Sequence, residues 1–385
     1  MKCTATRSPR TNSAPTSPRR RPLPAETTIP RRHPMKRYIL AAALLLGLQL
    51  PAVANEKVVL AIPTSVGAQY SDMLYGKELG YFAEEGIDLQ LTGFTGGTAV
   101  VVPQVANKSV LFGLGEPSLL IANVAKKTPL PVRYVYSYLA STTYDFAVLP
   151  DSPIKSIPDF KGKKVGVVSM AAGNIMLTRA QFKQAGLAVP NDVTLVPVGS
   201  GPAAWKQLQE GKVDALNLWF SEDARMVLGG VPIRRIPHSE NLRPIFSSGM
   251  MAHVDTIKER PQLVAGMGRA IAKSSVACAA AREKCVRAYW RFDPTSKPTP
   301  DKEAEWVKGA VAVLEANYAA IDYALKRNPQ WGAFDPAVID TYVKVLEQGG
   351  TVPPGATVPP GEIVTNQFVP EFNKFDALVV QRAAR

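Results

Sequence analysis

Residues able to hold a small molecule gather in six short loops, each placed where a strand should end and a helix begin. They are PTSVGAQY (63–70), TGFTGGT (92–98), GEPS (115–118), SMAAGN (169–174), VGSGP (198–202) and WFSED (219–223). Glycine, alanine and hydroxyl residues let backbone amides approach a ligand closely. The candidate ligand-binding residues are therefore Thr64, Ser65, Gly96, Gly97, Thr98, Glu116, Ser118, Tyr138, Ser169, Met170, Ala171, Gly173, Asn174, Ser200, Trp219 and Glu222. The helix starts at 96–98 and 169–174 carry no acid and suit an oxyanion. Glu116, and Glu222 beside Asp223, stand at other helix starts, and Ser221 is placed to cap its helix. Such a carboxylate either steadies the helix dipole or, facing a cleft, prefers a donor such as an amine or aminopyrimidine. Tyr70, Phe94, Tyr138, Tyr144, Trp219 and Phe220 either fill a core or stack on a flat ring.

Catalysis lacks the groups it needs. Beyond the N-terminal leader only His238 and His253 remain, and Ser169 has no G-x-S-x-G frame, so no nucleophile has a base by motif. Gly199-Ser200-Gly201 is not a phosphate loop: no G-x-x-x-x-G-K-[ST] occurs, and Pro202 opens its helix without a donor. Neither H-E-x-x-H nor paired C-x-x-C is present. The expectation is a binding protein with no cofactor or metal, and not an enzyme.

Alternating strands and helices must position these loops. Strands are expected at 57–62, 87–91, 110–114 and 132–137, with helices at about 70–85, 98–107 and 116–126. Tyr75, Leu79 and Phe82 share one helix face, Gly86 ends that helix, and Ile87, Leu89 and Leu91 then alternate as a half-buried strand. A second series follows, with strands at 144–149, 164–168, 193–197, 213–218 and 233–237 and helices at 174–185, 202–210 and 221–228. The class is α/β, with mostly parallel sheet covered by helices. Two series imply two lobes: 55–142 as the first part of lobe 1, 143–244 as lobe 2, and 245–385 as the return to lobe 1 with C-terminal helices. Crossings at about 138–145 and 243–252 make a hinge, and ligands in open α/β sheets lie beyond the strands' carboxyl ends, here in the cleft.

The 385-residue chain carries a formal charge of +13, which would suit a nucleic-acid binder if it were spread. It is not. Residues 1–54 hold ten Lys/Arg against Glu26 alone, leaving about +4 for the remainder. Within that leader, Met35-Lys36-Arg37, the apolar YILAAALLLGLQL (38–50) and Ala52-x-Ala54 form an export signal over 35–54. Residues 1–34 are Pro- and Arg-rich and read as a disordered or untranslated leader before a start at Met35. No cysteine follows the cleavage pattern, so no lipid anchor is expected, and a Gram-negative periplasm fits best. Cys278 and Cys285 would lie ~10 Å apart on one straight helix, beyond disulfide reach. A bridge needs a helix break, and AREK (281–284) holds no strong breaker, so bridged and free cysteines both stand open.

GKELGYFAEEGIDLQL, the TGGT glycine pair, SPIKSIPDFKGKKVGVV (152–168) and GSGPAAWKQLQEGKVDAL (199–216) together resemble one family. It is the periplasmic solute-binding proteins of ABC importers for nitrate, sulfonates, taurine and thiamine-pyrimidine precursors. The resemblance implies a two-lobed, two-hinge (type II) fold that closes on a small organic ligand, here a sulfonate, aromatic acid or pyrimidine. It also implies a monomer that delivers to an ABC permease in the inner membrane. A eukaryotic branch makes the thiamine pyrimidine itself with a cysteine-rich motif that this chain lacks. The alternatives are an exported enzyme of that type and a sensor that presents its bound state to a membrane receptor.

Overall fold

The computed structural model describes residues 54–94 and 96–385. The leader and export signal expected over 1–54 lie outside them, Ala54 apart. Among the described residues, ten strands form two five-stranded sheets. The first holds β1 (Glu56–Ile62), β2 (Ile87–Gly93), β3 (Phe112–Gly115) and β4 (Val132–Leu139). The second holds β5 (Phe146–Val148), β6 (Lys163–Val167), β7 (Val193–Pro197), β8 (Ala215–Asn217) and β9 (Arg234–Ile236). The chain then returns to the first sheet as β10 (Ser248–His253). The strand orders are β2-β1-β3-β10-β4 and β7-β6-β8-β5-β9, one sheet per lobe.

Both sheets are mixed, not mostly parallel. β1 runs parallel to β2 and β3, and β6 to β7 and β8. The strands next to each crossing break the pattern: β10 is antiparallel to β3 and β4, and β5 to β8 and β9. A strand arriving from the other lobe enters its sheet from the cleft end, opposite to the neighbours that point toward the cleft. The two crossings lie side by side, joined by bonds from Ser247 N to Leu139 O (2.9 Å) and Thr142 N to Arg243 O (3.2 Å).

Alternation builds the first core. Val58, Leu60 and Ile62 of β1 face helices Ser71–Glu78 and Pro261–Ala280, while Ala61 faces the side covered by helices Thr98–Ala106 and Ala337–Gln348. Two expectations need correction. The helix expected to run to 85 stops at Glu78, because Gly80 (φ +84°) turns the chain before a short 3₁₀ turn at Ala83–Glu85. Gly86 closes that turn in the left-handed region (φ +72°). The expected 243–252 crossing is partly a strand, β10. The cysteine question also has its answer here: Cys278 and Cys285 form a disulfide, their Cα atoms 5.1 Å apart. The required break falls at Ala281 (φ −146°, ψ 58°), between helices Pro261–Ala280 and Arg282–Phe292, with both cysteines fully buried.

Candidate functional site

Strand ends from both lobes enclose an inner cavity of about 60 Å³ beside the crossings. Thr64 follows β1, Gly115 ends β3 with Glu116 directly after it, Tyr138 lies one residue before the end of β4, and Ser247 directly precedes Ser248, the first residue of β10. Trp219 and Ser221 follow β8 of the other lobe, and Asn317 reaches in from helix Glu303–Leu325. Glycine at 115 is required by packing: a Cβ there would stand 2.7 Å from Thr98 Cγ2 and from Met251 Cε. That closeness lets the Glu116 N–H donate to Thr98 Oγ1 (3.2 Å).

Glu116 is the cavity's one acid, and no Lys, Arg or His lines it among the described residues. Its carboxyl takes the Ser118 N–H (3.1 Å) and the Tyr342 hydroxyl, and pairs with Ser118 Oγ (2.5 Å). Burial outweighs these bonds and pushes its pKa up to about 7. Tyr70, Tyr138, Tyr144 and Trp219 supply aromatic walls. Tyr138 is held by its hydroxyl donating to the buried Asp72 carboxylate (3.0 and 3.1 Å), while Tyr70 OH lies 3.4 Å from Thr64 Oγ1. Ser221 does not cap its helix: Trp219 is the N-cap residue, without a side-chain cap bond. The Ser221 hydroxyl is buried, has no partner among the described residues, and lines the cavity. An unsatisfied buried hydroxyl in a cavity is a group a ligand can complete.

Of the candidates read from sequence, Thr64, Thr98, Glu116, Tyr138 and Trp219 meet at this cavity. A second group meets across the cleft, lobe against lobe. Ser169 Oγ donates to Gly96 O (3.2 Å), Ser118 Oγ contacts Gly173 O (2.6 Å), and Gly97 lies against the backbone of Ala171 and Ala172. The rest stand elsewhere. Ser65 borders a larger chamber, Met170 and Ser200 are exposed, and Asn174 donates to Asn217 Oδ1 (2.8 Å) inside lobe 2. Glu222 is engaged internally, accepting from Gly201 N (2.6 Å), Trp205 Nε1 (2.9 Å) and Arg225 (3.0 Å). Gln69, Thr143, Ser221, Ser247, Ser248 and Asn317 line the cavity without having been singled out as ligand contacts. Gln69 and Ser221 lie within two of the six loops and Thr143, Ser247 and Ser248 within the crossings, but nothing in the sequence marks Asn317.

A family model described as NMT1/THI5 like matches residues 68–284, more than half of the chain. A Brucella abortus (strain 2308) protein named as a binding protein is 25% identical over 284 residues, covering 70% of this chain and 83% of its own. The alkanesulfonate-binding protein SsuA of Xanthomonas axonopodis pv. citri, solved bound to MOPS, superposes with a TM-score of 0.59 at 13% identity, covering 80% of this chain and 98% of that one. The desulfurization enzyme DSZB superposes with a TM-score of 0.51 at 15% identity, covering 82% of this chain and 98% of that one. At these identities the two structures establish a periplasmic-binding-protein fold, and one fold serves both binding and catalysis.

Proposed function

We propose, from the premise that the chain belongs to the NMT1/THI5-like family, that it is the periplasmic substrate-binding component of an ABC importer. It captures a small, flat organic nutrient rich in hydrogen-bond donors, acts as a monomer, and hands the ligand unchanged to an inner-membrane permease. One observation carries the ligand class: the inner cavity combines a buried carboxyl, an unpartnered serine hydroxyl and four aromatic rings with no base. An amine or aminopyrimidine satisfies both polar groups. A sulfonate would meet the Glu116 carboxyl with no side-chain cation to offset it. The cavity's 60 Å³ is far below the roughly 300–1,000 Å³ usual for pockets that hold organic ligands, so the lobes must part to admit one and settle around it.

A thermal-shift screen of aminopyrimidines, aromatic acids and sulfonates tests the class. The largest rise should come from an aminopyrimidine, recovered unchanged after incubation. A sulfonate giving the largest rise would overturn the donor reading, and a chemically altered ligand would overturn binding in favour of catalysis. X-ray scattering should show a smaller radius of gyration with that ligand than without it; an unchanged radius at saturation would argue against closure.

Trp219 is half-buried where β8 gives way to helix Phe220–Leu228, with its ring at the cavity. Trp219→Ala should weaken the screened ligand by about 1–3 kcal/mol, the scale of a buried aromatic anchor. The ring also packs against the lobe-2 core, so a urea melt belongs beside the calorimetry. Normal affinity in a badly destabilised protein would make Trp219 a core residue only.

A further inference from the structure

Gln69 borders two compartments: the inner cavity, and a larger chamber of about 740 Å³ between the lobes. Lobe 1 lines the chamber with Tyr289, Lys302 and Trp306, and lobe 2 with Trp205 and Arg225. Its volume lies in the range of sites for drug-sized molecules, which the inner cavity's does not. Both indoles are fixed from behind. Trp205 donates its N–H to the buried Glu222 carboxylate (2.9 Å), and its ring packs so near Gly229 that a Cβ there would stand 2.6 Å away. Trp306 packs on Trp290 with ring centroids 4.6 Å apart. Rigid aromatic walls lose little entropy on binding a flat ring.

The charges differ from those of the inner cavity. Arg225 spends one nitrogen on Glu222 (3.0 Å) and is otherwise partly exposed. Lys302 is exposed and makes no ion pair among the described residues, and Glu305 is the one acid in the lining. We propose that this chamber is a second binding compartment, taking a flat aromatic ring that carries an anionic group, with Gln69 as the partition from the inner cavity. The assignment does not depend on what the inner cavity takes, nor on delivery to a permease.

Fluorescence titration with 8-anilinonaphthalene-1-sulfonate tests it, beside the uncharged N-phenyl-1-naphthylamine. The sulfonate should bind one to one and saturably, about tenfold or more tighter than its uncharged analogue. Leu228→Trp, a change at a 51% exposed position on the chamber wall, should cost about tenfold in affinity by filling the space. Lys302→Gln should weaken the sulfonate and leave the uncharged probe as before. Both changes lie on the surface, so folding can be confirmed by thermal melts. Equal binding of the two probes, undiminished binding to the Leu228→Trp protein, or an equal loss from Trp219→Ala would each overturn the assignment. The last outcome would place the probe in the inner cavity.

Discussion

Raising the pH from about 4.5 through about 7 is expected to destabilise the folded protein and loosen its closed form, and Glu116→Gln is expected to remove about 3 kcal/mol of that dependence. The reason lies in a count of hydrogens. Ser118 Oγ lies 2.5 Å from Glu116 Oε2 and 2.6 Å from the Gly173 carbonyl of the opposite lobe. A hydroxyl has one hydrogen, so it cannot donate to both. If the Glu116 carboxyl is protonated, it donates to Ser118 Oγ, which donates to Gly173 O, and the chain across the cleft is complete. Burial favours that form, since Glu116 is 2% exposed and its pKa is pushed to about 7 from an ordinary 4.5. The folded state therefore binds more protons than the unfolded state between those values. Stability is full below about pH 4.5 and falls as pH rises toward 7, by about 3 kcal/mol for this group. Tyr134, Tyr144 and Tyr342, which face the carboxyl, are all raised by burial and stay neutral throughout. Asp72 (about 6) and Asp223 (about 7) are also raised by burial, so a residual slope of the same sign should survive in the mutant. Urea melts at pH 5 and pH 8 measure the difference. Equal pH slopes in the two proteins would remove Glu116 from the account.

Loops were legible in this sequence where backbone geometry demanded particular residues. Glycines, hydroxyls and prolines marked the ends of β1, β2, β3 and β6, and short alternating runs marked most strands. β10 was not legible, because Met250 and Met251 are both fully buried in a central strand covered on both faces, which erases the two-residue period. The site was legible in part, for a more specific reason. A loop that touches a ligand and a loop that touches the other lobe need the same small residues. Gly96, Gly97, Ser169 and Gly173 therefore read as ligand contacts and are found where one lobe touches the other. Glu222 misled differently: a carboxylate at a helix start looks alike whether it faces a cleft or a tryptophan N–H. The Ala281 break had no local signal at all, since no glycine or proline marks it.

Gly97→Ala is expected to hold the lobes apart, and Gly86→Ala supplies the comparison that isolates this. Gly86 and Gly97 both have positive φ, +72° and +92°. At Gly86 a Cβ would meet nothing within 4 Å, so Gly86→Ala carries backbone strain alone, about 1–2 kcal/mol of stability. At Gly97, with ψ −172°, the backbone lies in a region open essentially to glycine, and strain costs about 1–3 kcal/mol whether the lobes are open or closed. A second cost arises only on closure. A Cβ at 97 would stand 2.8 Å from Ala172 Cα and 2.9 Å from Ala171 O of the other lobe, and no side-chain rotation relieves a clash with backbone. Overpacking of this kind costs about 1–3 kcal/mol, which a ligand that requires closure must supply from its own binding energy. Gly86→Ala should therefore lose stability and keep ligand affinity. Gly97→Ala should lose both, with affinity down by about tenfold or more. In scattering, its radius of gyration should stay at the open value when the ligand found by the thermal-shift screen is added. If Gly97→Ala contracts as the parent protein does and binds as tightly, the 169–174 loop yields by a few tenths of an ångström, and this contact does not set how far the lobes close.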